Sequence, residues 1–100
     1  MEKLKEIIQE LKYIEIVYVE KDALRFVLDV NAENERKENI KGSLKENGLI
    51  HIYKDLMKLY REDKVEFVFD DEFLHISFFM NHSQSKLLVE EFMLDYEILS

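Results

Sequence analysis

The sequence predicts an α+β fold: two helix–hairpin (αββ) units and a C-terminal helix, with a four-stranded antiparallel sheet and helices packed on it. Three observations carry this expectation. Apolar residues recur every three to four positions in Leu4, Ile7, Ile8 and Leu11, and again after Gly48. They recur every second position in four other segments. Acidic clusters separate those segments in pairs, as hairpin turns would.

In the first element Lys3, Glu6, Gln9 and Glu10 oppose the apolar stripe, which is the pattern of an amphipathic helix. Ile14, Ile16 and Tyr18 then alternate with Glu15, Val17 and Val19. After Glu20-Lys21-Asp22 the alternation resumes in Leu24, Phe26, Leu28 and Val30. This reads as a hairpin whose even-numbered residues face the core, leaving Val17, Val19 and Val27 on the other face.

Residues 31–48 have only Ala32, Ile40 and Leu44 as apolar anchors and hold both glycines, so they read as a long polar connection. A short helix over 32–40, capped by Asn31 and stopped by Gly42, is the alternative to a solvated loop. Over 49–61 a helical wheel gathers Ile50, Ile52, Tyr53, Leu56, Met57, Leu59 and Tyr60 opposite His51, Lys54, Asp55, Lys58 and Arg61, which predicts a second helix. Val65, Phe67 and Phe69, then Leu74, Ile76, Phe78 and Met80, form a second hairpin about Asp70-Asp71-Glu72. Ser83 or Ser85 is expected to cap a third helix running toward Leu99, with Leu87, Leu94 and Ile98 as a second apolar stripe.

The halves also resemble one another. Leu24, Phe26, Leu28, Val30 and Asn31 stand fifty residues before Leu74, Ile76, Phe78, Met80 and Asn81, while 14–18 aligns with 65–69.

Composition bounds the function. One hundred residues, 47% hydrophobic and 36% charged, make one domain spanning 1–100. Twenty-two acidic against fourteen basic residues give a net charge of −8, which repels a phosphate backbone and disfavours direct nucleic-acid binding. There is no cysteine, so thiolate chemistry and disulfides are excluded and a reducing compartment, the cytoplasm, is expected. No long apolar run suggests a membrane span. Two glycines leave no room for a phosphate-binding loop. His51, His75 and His82 form no triad or metal-ligand spacing, so neither catalysis nor a cofactor is expected. A small-molecule pocket lined by Tyr18, Phe26, Tyr53, Tyr60 and Phe67 is the weakest reading, since aromatic residues at these spacings are usually core fillers.

The charge is uneven: residues 1–50 carry 11 acidic and 9 basic side chains, residues 51–100 carry 11 and 5. Glu62, Asp63, Asp70, Asp71 and Glu72 bound the second hairpin, and Glu90, Glu91 and Asp95 follow. These eight are the expected contacts to a protein partner with a basic surface, since such a field speeds encounter with a cation-rich patch. In size and charge the chain resembles small acidic phage inhibitors of host-defence nucleases, anti-CRISPR proteins among them, a likeness of class rather than motif. That likeness implies a non-enzymatic inhibitor that blocks a basic nucleic-acid-binding site. The alternative is a small dimeric chaperone or immunity-type protein holding one cognate protein, or a second copy, through an apolar interface of Val68, Phe79, Leu94 and Ile98.

Overall fold

The structure, a computed structural model, describes residues 2–31 and 39–99. Helix α1 (Glu2–Leu11) leads into strands β1 (Ile16–Val19) and β2 (Ala23–Asp29). Helix α2 (Ile40–Glu46) and a 3-10 turn at Ile50–Ile52 precede α3 (Tyr53–Arg61). Strands β3 (Val65–Asp70) and β4 (Phe73–Phe79), helix α4 (His82–Glu91) and the short β5 (Glu97–Ile98) complete the described chain. The mixed α+β class is as expected, but the sheet has five strands in the order β3-β4-β2-β1-β5, and β5 runs parallel to β1.

The two hairpins share one geometry. Val17 pairs with Phe26 and, fifty residues on, Phe67 pairs with Ile76. Phe26 also pairs with Ile76 across the centre of the sheet, so an approximate two-fold axis passes between β2 and β4. The offset is therefore fifty throughout both hairpins, which replaces the 14–18 to 65–69 alignment.

That geometry corrects the expected face of β1. Val17 and Val19 are buried at 2% and 0% exposure, whereas Ile16 is 40% exposed and Tyr18 half-buried. The cause is the turn. Glu20 donates its N–H to the Ala23 carbonyl at 2.9 Å, so only Lys21 and Asp22 make the turn and partners pair odd with even. Since paired residues share a face, the even core set of β2 (Leu24, Phe26, Leu28) requires an odd set on β1. A three-residue turn would have given the expected parity.

All four described helices contribute to one core on one side of the sheet: Ile7, Ile8 and Leu11 of α1, Leu44 of α2, Leu56 of α3, and Leu88 and Val89 of α4. Leu44 is fully buried, so part of the stretch read as a polar connection is a core helix. Asn39 caps α2 by accepting from the Gly42 N–H at 2.8 Å, and Gly42 lies inside the helix rather than stopping it. The helix expected over 32–40 falls mostly outside the described residues.

Helices α2, α3 and α4 end alike. In each, the second residue past the C-cap donates back to the carbonyl five positions earlier: Leu49 to Leu44 at 2.8 Å, Lys64 to Leu59 at 2.9 Å, Leu94 to Val89 at 2.9 Å. This is the Schellman closure, and it needs a left-handed residue before that donor. Gly48, Asp63 and Met93 fill the position with φ of 72°, 58° and 54°. The last closure is why α4 stops at Glu91 instead of running toward Leu99. The cap of α4 is Asn81, which accepts from the Gln84 N–H at 2.8 Å, and Ser85 is buried inside the helix.

Candidate protein-binding surface

Because every described helix packs on one side, no described element covers the other face of the sheet. It presents Ile16 and Tyr18 from β1, Arg25, Val27 and Asp29 from β2, His75, Ser77 and Phe79 from β4, and Glu66, Val68 and Asp70 from β3. Val68 and Phe79 are 46% and 49% exposed. They line a shallow groove of about 450 Å³ together with Glu20, Arg25, Glu66, Asp70 and His75.

The groove floor is a polar network. The Arg25 guanidinium stacks 4.9 Å over the Tyr18 ring, Nε lies 2.8 Å from Glu20 Oε1, and Nη1 lies 3.0 Å from His75 Nδ1. Arginine can only donate, so Nδ1 accepts and the imidazole proton sits on Nε2. That Nε2 is buried without a hydrogen bond, 3.8 Å from Asp70 Oδ2. Burial, and then the neighbouring Arg25 charge, hold the His75 pKa below the usual 6.5, against the opposing pull of Asp70 and Glu20. His75 is therefore neutral near pH 7, and Glu20 offsets the Arg25 charge. Glu66, Asp70 and Asp29 leave the face negative.

The eight acidic candidates are all exposed but do not form one patch. Asp70, Asp71 and Glu72 cluster at the β3–β4 turn, while Glu62 and Asp63 stand at the opposite end of β3. Glu90 and Glu91 lie on α4, where Glu91 pairs with Lys5 at 3.1 Å. Asp95 precedes β5, four strand spacings or about 19 Å from β3. Of the apolar candidates, Val68 and Phe79 share the bare face and Ile98 is 53% exposed at the far edge. Leu94 is a correction. It is buried at 8% in the core, because the α4 closure turns it inward beside Val89.

Reading the sequence alone missed Ile16, Tyr18 and Glu20 as part of this face. The signal was available in the parity imposed by a two-residue turn. The five aromatic residues considered for a pocket are dispersed: Phe26 is in the core, Tyr60 packs on Phe67 with ring centroids 5.6 Å apart, and Tyr18 is on the bare face. Among the described residues no group of three or more His, Asp or Glu side chains is placed to hold a metal ion, and no helix is long and apolar enough to cross a membrane. No protein family, curated protein or solved structure matches the chain.

Proposed function

We propose that this chain is a non-enzymatic protein-binding module that engages a basic surface of a partner protein, presenting carboxylates where a phosphate backbone would otherwise sit. The observation that carries the reading is the bare sheet face: Val68 and Phe79 stand exposed among Glu20, Glu66 and Asp70, and Arg25, the one cation among the described residues of the groove, is paired with Glu20. Apolar anchors inside an acidic rim suit a surface that mixes lysine or arginine with apolar side chains. A nucleic-acid-binding site has that character, so inhibition of a nucleic-acid enzyme, such as a host-defence nuclease, is the specific form of the proposal. A second reading rests on the same two apolar residues: a chaperone or immunity-type protein would hold its cognate protein through Val68 and Phe79.

The test is capture of a partner from nuclease-treated lysate, followed by reconstitution with the purified partner. Loss of the complex on reversing Asp70, Asp71 and Glu72 to lysine, and competition by duplex nucleic acid, are the expected results. A complex indifferent to salt and to charge reversal, yet lost with Val68→Asp or Phe79→Asp, would transfer the function to the second reading.

A further inference from the structure

Strand β3 is an edge of the sheet, and no described strand pairs with its outer side. The two-residue turn Asp71-Glu72 makes Asp70 and Phe73 a hydrogen-bonded pair, so Asp70, Val68 and Glu66 direct their backbone groups toward β4. The Phe79 N–H donating to the Lys64 carbonyl at 3.0 Å continues that phase. Val65, Phe67 and Phe69 must therefore point their N–H and C=O groups outward. Among the described residues none of these groups has a hydrogen-bond partner.

Such an edge is usually blunted by a bulge, a proline, a very short strand or charged side chains. Here the pairing with β4 is continuous over six residues and the chain contains no proline, so the guards on the strand are the carboxylates of Glu66 and Asp70, which repel a like-charged strand but attract a basic one. The edge also has two chemically distinct sides. On the helix side Phe67 and Phe69 are half-buried, and Tyr60 of α3 extends the ledge at 48% exposure. On the bare side stand Glu66, Val68 and Asp70, with Asp71 and Glu72 at one end of the strand and Glu62, Asp63 and Lys64 at the other, where Lys64 lies 3.5 Å from Glu62 and offsets its charge.

We infer that β3 accepts an extended segment of the partner protein by strand addition, and that the segment alternates apolar residues with lysine or arginine. This rests on the proposed engagement of a basic partner and names how it is recognised. Backbone pairing at Val65, Phe67 and Phe69 gives the segment its extended form. Its apolar side chains cover Tyr60, Phe67 and Phe69, and its cations face Glu66 and Asp70. A second copy of this chain complements the edge less fully: antiparallel pairing of two β3 strands about Phe67 would set Lys64 opposite Asp70 but leave Glu66 opposite Val68, whereas a segment with a cation at every second position meets both carboxylates.

The test uses the full chain with the heptapeptide Lys-Val-Lys-Val-Lys-Val-Lys, an isomer of the same composition without alternation (Lys-Lys-Lys-Val-Val-Val-Lys), and two versions of the first N-methylated on alternate amides. The alternating peptide is expected to bind at least tenfold more tightly than its isomer and to slow exchange of the Val65, Phe67 and Phe69 amide hydrogens at least tenfold. Methylating one alternate set of amides should abolish binding, the Val set for an antiparallel strand or the Lys set for a parallel one, while the other set leaves affinity within about threefold. If both methylated peptides and the isomer bind as well as the parent, strand addition is wrong while recognition of basic segments stands. If no lysine peptide binds at low salt, both this inference and the proposed function fall. Protection of the same amides by raising the concentration of the chain alone would assign the edge to self-association and overturn the inference.

Discussion

Replacing Val17 and Ile16 separately with threonine tests the hairpin parity that decides which side chains reach the bare face. Val17 is 2% exposed against Phe26, and Ile16 is 40% exposed against Val27. Threonine is nearly isosteric with valine and favours strands, so Val17→Thr changes little except that a buried methyl becomes a hydroxyl. A buried hydroxyl without a partner costs about 1–3 kcal/mol, and the lost methyl transfer about 0.8 kcal/mol more, for a total of about 2–4 kcal/mol. In a domain of this size that lowers Tm by roughly 8–30 °C. Ile16→Thr removes partly solvated carbon atoms and leaves its hydroxyl in water, so its cost stays below about 1 kcal/mol. Urea unfolding followed by far-UV circular dichroism reads both, provided the slopes agree with wild type. A loss in Ile16→Thr equal to or greater than that in Val17→Thr would refute the two-residue turn and return Ile16 and Tyr18 to the core.

Three further outcomes follow from local geometry. The folded-state pKa of His75 lies below 6.5, so between those values the unfolded chain binds more protons than the folded one. The contribution of His75 to stability is thus complete above about pH 6.5 and declines as pH falls through that window. Unfolding of wild type and His75→Gln from about pH 7.5 to about pH 5 should show the steeper acid loss in wild type; parallel curves would contradict the assignment. Met93 is 89% exposed at φ 54°, so Met93→Gly relieves left-handed strain at little packing cost and should be neutral or stabilising by up to about 1 kcal/mol. Gly48→Ala at φ 72° should instead destabilise by about 1 kcal/mol although nothing obstructs a Cβ there, and the same denaturation assay reads both.

The sequence alone determined the elements whose side-chain pattern has one period and one buried face. Leu4, Ile7, Ile8 and Leu11 mark α1, and Leu56 with its neighbours marks α3. Leu24, Phe26 and Leu28, Val65 and Phe67, and Leu74, Ile76 and Phe78 mark three strands with their core faces correctly assigned. It also placed Arg25, Val27, Glu66, Val68, His75 and Phe79 together on the opposite face, because alternation sends every second residue there.

Only the tertiary structure decided what depends on non-local pairing. On β1 both alternating sets are apolar, Ile16 and Tyr18 against Val17 and Val19, so periodicity is ambiguous and the turn to β2 sets the face. Leu94 and Ile98 fit a helical stripe, yet the closure of α4 at Met93 turns one into the core and pairs the other with Val19. Ile40 and Leu44 are isolated apolar residues in a polar stretch, and the burial of Leu44, with Ile40 packed against the same cluster, makes α2 a core helix. Hydrophobic pattern records which residues avoid water. Which side of the sheet the helices cover, and hence which face and edge remain for a partner, is settled only when separate segments compete for the same buried space.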